Sequence, residues 1–126
     1  RLFVSDRRNM RLKVLDREGN VLAITEDFGR ISGLWMTSDD TLFAIDSETN
    51  PTNHPGWRKG IRIGSVKDIK NMKPRFFVPP HVLSRVPEGA IGEGVAVDAA
   101  GNVYVAEVTI MGVSKFVPRF KPPYRP

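Results

Sequence analysis

The sequence predicts an all-β chain built from repeated four-stranded antiparallel units, and three observations carry that prediction. First, three apolar runs ending in a carboxylate read alike: Leu2-Phe3-Val4-Ser5-Asp6, Leu42-Phe43-Ala44-Ile45-Asp46 and Val103-Tyr104-Val105-Ala106-Glu107. Second, the last two each follow another matching stretch. Ser32-Gly33-Leu34-Trp35-Met36-Thr37-Ser38-Asp39-Asp40 aligns with Glu93-Gly94-Val95-Ala96-Val97-Asp98-Ala99-Ala100-Gly101, with no gap between Ser32 and Asp46. Third, no segment carries the 3.6-residue periodicity of an amphipathic helix. Strand, tight turn and strand, repeated at an interval of about 40 residues, is the signature of a β-propeller blade. The chain is therefore expected to be a β-propeller fragment of two and a half to three blades.

The elements follow in chain order. Leu2-Phe3-Val4 matches a second strand, so the first unit lacks its first. Arg11-Leu12-Lys13-Val14-Leu15 alternates polar with apolar, as a half-exposed third strand does. Val21-Leu22-Ala23-Ile24 reads as the fourth. The second unit is complete. Its first strand starts at Ser32, a turn follows at Ser38-Asp39-Asp40, and the second strand ends at Asp46. Ile61-Arg62-Ile63-Gly64 and Arg75-Phe76-Phe77-Val78 supply the third and fourth. In the last unit the first strand starts at Glu93, Ala99-Ala100-Gly101-Asn102 makes the turn, and Val113-Ser114-Lys115-Phe116-Val117 is the third strand. Residues 119–126 are proline-rich and basic and supply no fourth strand. The expected division is a partial propeller over 1–118, in blade pieces 1–29, 30–91 and 92–118, followed by a tail over 119–126.

Composition bounds the chemistry. The chain has no cysteine, which excludes disulfides, a thiolate nucleophile and a cysteine metal site. Either a reducing or an oxidising compartment fits, so the location of this soluble-type chain stays open, with secretion or a periplasm compatible. No run of apolar residues is long enough to span a membrane as a helix. The net charge of +5 permits an acidic partner, but Arg7, Arg8, Arg11, Lys13, Arg58, Lys59 and Arg62 are scattered and form no dense run. A solvated basic surface is preferred to a nucleic-acid interface.

The wording of the repeat, Gly94-Val95-Ala96-Val97-Asp98 with Gly101-Asn102-Val103-Tyr104-Val105-Ala106, resembles the NHL repeat over nearly the whole chain to about Pro118. That resemblance implies a ring of six blades, of which this chain would be the C-terminal half, completed by the remaining blades of a longer protein. It also implies that the first strand of each blade lines a central channel. The loops between second and third strands, and those between blades, would then share the top face. Two long insertions occupy those places, residues 47–60 and 79–92, whereas the equivalent residues 7–10 form a short loop. Extra length on one face of a repeat array marks a binding face.

Both histidines and Trp57 fall in these insertions, which places a candidate site at the top of the channel. Gly92-Glu93-Gly94 resembles the glutamate motif of the gluconolactonase and senescence-marker family. There the glutamate begins an inner strand and binds a divalent metal, so Glu93 is the expected ligand of a divalent ion such as calcium or zinc. Ser32 holds the equivalent place one blade earlier. The related peptidyl-hydroxyglycine lyases carry metal-binding histidines at this place, and Ser32 and Glu93 do not reproduce them. His54 and His81 are candidates for proton transfer, because neutral imidazole serves that role near pH 7. Trp57, Arg58 and Arg85, with Ser32, are candidates for holding an anionic ligand. The recurring Asp6, Asp46 and Glu107 are read as structural, accepting hydrogen bonds that fix the turn into the third strand. Two functions remain open. One is a metal-assisted hydrolase or lyase acting on a small molecule or peptide at the channel mouth. The other is a non-catalytic NHL scaffold binding protein, peptide or, less favoured, RNA through Trp57 and its basic neighbours.

Overall fold

The computed structural model describes residues 1–82 and 90–119. Ten strands follow in order: β1 (Leu2–Asp6), β2 (Arg11–Leu15), β3 (Val21–Thr25), β4 (Ile31–Met36), β5 (Thr41–Asp46), β6 (Gly60–Ser65), β7 (Phe76–Val78), β8 (Gly92–Val97), β9 (Val103–Glu107) and β10 (Gly112–Phe116). A 3-10 turn at Arg7–Asn9 links β1 to β2, and no α-helix occurs among the described residues. Among them no helix is long and apolar enough to cross a membrane. The strands form three antiparallel sheets, ordered β1-β2-β3, β4-β5-β6-β7 and β10-β9-β8. Within each sheet every strand pairs with its neighbours in sequence, so the described residues are all-β and build three propeller blades of three, four and three strands. The proposed tail, apart from Arg119, lies outside the described residues.

The repeat extends to individual backbone bonds. In the β4–β5 hairpin, Thr37 N donates to Thr41 O (3.0 Å) and Asp40 N to Thr37 O (3.2 Å). In the β8–β9 hairpin, Asp98 N donates to Asn102 O (3.1 Å) and Gly101 N to Asp98 O (2.9 Å). The fourth residue of each turn takes a positive φ, 62° at Asp40 and 82° at Gly101. Glycine enters that region freely, and aspartate is among the few other residues that tolerate it. Blades one and three also share the turn into their third strand, with φ of 53° at Met10 and 49° at Met111. In blade two, residues 47–59 stand where the others have residues 7–10 and 108–111.

Packing between blades explains the apolar pattern. Strand β5 alternates its side chains between two cores. Leu42 and Ala44 join Leu12, Val14 and Phe28 on the side of blade one. Phe43 and Ile45 join Ile63, Val95 and Val105 on the side of blade three. Both faces of β5 are covered, which is why its apolar run is unbroken. On β3 the alternation meets a neighbour on one side only, and Val21, Leu22 and Ile24 are exposed.

Candidate functional site

The two inner strands β4 and β8 run side by side. The contact is close at Gly33, where an added Cβ would stand 2.5 Å from the backbone oxygen of Glu93 and 3.3 Å from the Cα of Gly94. A side chain there would push the blades apart. Both strands open with a bulge at the same point. The β4–β5 register shifts between Ile31 and Gly33, and the β8–β9 register between Gly92 and Gly94. The extra residues are Ser32 and Glu93, the pair aligned by the sequence repeat. A bulge leaves one residue unpaired and re-aims its side chain.

Around these residues the charges alternate. The Glu93 carboxylate, with its side chain 52% exposed, lies 3.6 Å from the guanidinium of Arg7. Arg7 also lies 3.3 Å from Glu48, and Glu48 lies 3.4 Å from Arg30. Four side chains from three blades thus form one chain of ion pairs. Ser32 Oγ and Ser47 Oγ share a hydrogen bond of 2.5 Å beside it. The backbone of Ile91 donates to Ser47 O (3.1 Å), so the two insertions meet on this face. Among the described residues no group of three His, Cys, Asp or Glu side chains comes together to hold a metal. Glu93 alone of the named residues offers a carboxylate at an inner-strand start, and its partner there is Arg7.

The second cluster lies on the insertion of blade two. Asp46, fully buried at the end of β5, accepts hydrogen bonds from Thr49 N (3.0 Å), Thr49 Oγ1 (2.7 Å) and Arg30 N (3.1 Å) and pairs with Arg62 (3.2 Å). It has the turn-fixing role expected of it. Asn50 continues the loop, accepting from Thr52 N (3.0 Å) and Asn53 N (2.7 Å). His54 N then donates to Asn50 O and Trp57 N to His54 O. These turns stack the His54 ring on Trp57, with centroids 4.4 Å apart and planes 12° from parallel. Arg62 lies over the Trp57 ring at 4.5 Å and donates through Nη2 to Arg58 O (2.9 Å). Arg58 and Arg62 both lie over the ring of Phe77, at 5.4 and 5.3 Å. Beside this stack is a cleft of about 330 Å³, lined by Trp57, Arg58, Arg62, Arg75, Phe76 and Phe77.

Burial sets the protonation here. It holds His54 below its ordinary value of 6.5, Asp46 acting in the opposite sense. The imidazole is therefore neutral at pH 7, and its Nδ1 is buried with no hydrogen-bond partner among the described residues. Burial also lowers Arg62, offset by Asp46.

The expected residues thus divide. Ser32 and Glu93 sit at the inner-strand mouth. Trp57 and Arg58 line the cleft with His54 stacked behind Trp57, and Asp46 joins the two regions through Arg30 and Arg62. No hydrogen bond or ion pair among the described residues links His54 to Glu93. His81 lies on the connection from β7 to β8, and Arg85 lies outside the described residues. Sequence reasoning missed Arg7, Arg30 and Glu48 at the mouth. Its one available clue was position, since Arg7 follows Asp6 as Ser47 follows Asp46. It also missed Arg62, Arg75 and Phe77, which in the sequence are strand residues, Arg62 being besides one of the scattered cations. The chain matches no protein-family model and none of the curated proteins.

Proposed function

We propose that this chain is part of an NHL-type propeller that binds a small-molecule or peptide ligand at the mouth of its inner strands, as a recognition scaffold. The observation that carries this reading is the bulge repeated at Ser32 and Glu93, which sets Glu93 next to Arg7 and Ser32 against Ser47 beside them. Arg7 offers hydrogen-bond donors and Glu93 offers acceptors. At 3.6 Å their contact is longer than a charge-assisted hydrogen bond of about 2.8 Å, so each has capacity left for a ligand. A peptide end or an amino-acid-like zwitterion presents the matching pair of groups. A thermal-shift screen of dipeptides and small zwitterions tests the reading. Hits that lose their effect in Glu93→Gln sustain it, and hits indifferent to both Glu93→Gln and Arg7→Gln sink it.

A second reading, a metal-assisted hydrolase or lyase, draws on the half-exposed Glu93 carboxylate at an inner-strand start. The other donors would have to come from outside the described residues, so no catalytic step is derived through a metal. The neutral His54, or His81, would be the proton-transfer group. Metal content with and without Glu93→Ala separates the readings. About one equivalent of calcium or zinc, lost in the variant, would replace the scaffold reading with a metal centre. No metal, or metal indifferent to the substitution, leaves Glu93 as the partner of Arg7.

A further inference from the structure

We infer that the cleft on the outer half of blade two binds a small anion that combines a phosphate monoester with a planar ring, of mononucleotide size. This goes beyond the proposed function and is independent of it, because it uses different residues.

Charge is the first reason. Of the three guanidiniums lining the cleft, Arg62 is already engaged by Asp46 and the Arg58 carbonyl. Arg58 and Arg75 are exposed, and neither has an ion-pair partner among the described residues. Among the described residues no carboxylate lines the cleft. Two forked cations on one cleft without an anion suit a phosphate, which guanidinium binds in bidentate fashion.

The second reason is the wall. Phe77, 36% exposed, lines the cleft beside Trp57 on the face of β7 that carries Arg62, and Phe76, 52% exposed, borders it from the next position of the strand. Large exposed rings next to cations are what a planar base or aryl group stacks upon. Rigidity is the third. Asp46 fixes Arg62, Arg62 holds the Arg58 backbone, and the Arg58 guanidinium rests over Phe77. A site ordered before binding loses less entropy when it binds. Size is the last. A volume of about 330 Å³ is at the small end of ligand pockets and suits one small molecule.

Titration with AMP, followed by fluorescence in a Trp35→Phe background so that Trp57 reports, tests the inference. Saturable binding is expected. Arg58→Gln with Arg75→Gln should weaken it by about tenfold or more, while Arg8→Gln, the loss of an exposed charge elsewhere, should leave it within about twofold. Circular dichroism of the double variant should match the parent, since both side chains are exposed. The inference is overturned by absence of saturation, or by inorganic phosphate binding as tightly as AMP, which would leave the rings no part. It is also overturned by a short single-stranded RNA binding far more tightly than AMP, which would mark a polymer interface. Loss of AMP binding in Glu93→Gln would move the site to the inner-strand mouth and overturn it too.

Discussion

The inner-strand mouth and the outer cleft are joined by one buried carboxylate but balance their charges in opposite ways. At the mouth, Arg7 and Arg30 meet Glu48 and Glu93, so two cations face two anions. In the cleft, Arg62 pairs with Asp46, while Arg58 and Arg75 have no ion-pair partner among the described residues. The mouth lies at a position that recurs from blade to blade. The cleft depends on residues 47–59, which replace the short turn of blades one and three. The repeat therefore builds a frame with compensated charge, and the insertion adds cations beyond what the frame neutralises. Exposed cations are hydrated and cost the fold little, so the unpaired guanidiniums stay available to an anionic ligand, whereas those of the balanced set are already engaged.

The most severe break in this comparison is Asp46→Ala. It strips a buried Arg62 of its counterion and the loop of its anchor, and should cost about 3–5 kcal/mol in urea denaturation. The stacked Trp57 should become solvent-exposed in the same variant, with red-shifted emission. A preserved Trp57 spectrum would show that the stack holds itself together without Asp46. Gly33→Ala addresses the mouth instead. Its Cβ would press on the Glu93 backbone oxygen at 2.5 Å, so overpacking should cost about 1–3 kcal/mol and leave the cleft unchanged.

Acid should separate the regions further. The folded state holds His54 below 6.5, so between that lowered value and 6.5 the unfolded chain binds the extra proton. Stability from this group is complete above pH 6.5 and declines as pH falls below it. Trp57 emission should follow the same titration, because protonation charges the ring stacked on it. In His54→Gln that acid-side change should vanish, and its persistence would assign the transition elsewhere. The smallest effect belongs to Arg7→Gln. Its ion pairs are solvent-exposed, so denaturation should shift by less than about 1 kcal/mol. If instead the loss is several-fold larger, the Arg7 bridge is a structural clamp between blades rather than a ligand-facing group.

Much of the fold could be read from residue pattern. The alignment of Ser32 with Glu93 carries through to matching bulges, matching hairpin bonds and matching positive-φ residues at Asp40 and Gly101. It was legible because each blade solves the same local problem, and turn residues and period-2 alternation are local signals. The candidate site was legible only in part. Trp57 and Arg58 stand out because they lie in an insertion. Arg62 did not, since in sequence it is simply the polar member of Ile61-Arg62-Ile63. Its importance comes from Asp46, Trp57 and Phe77, which lie on three other segments.

By itself, the sequence determined strands, turns, blade order and the location of the insertions, because these follow from hydrophobic period and backbone preference over a few neighbouring residues. Only the tertiary structure decided which charges meet. An ion pair such as Arg7 with Glu93, or a stack such as His54, Trp57 and Arg62, depends on distances between side chains, and those are set by how blades pack and how a long loop folds back. Charge and stacking act through space, while residue pattern reports only along the chain.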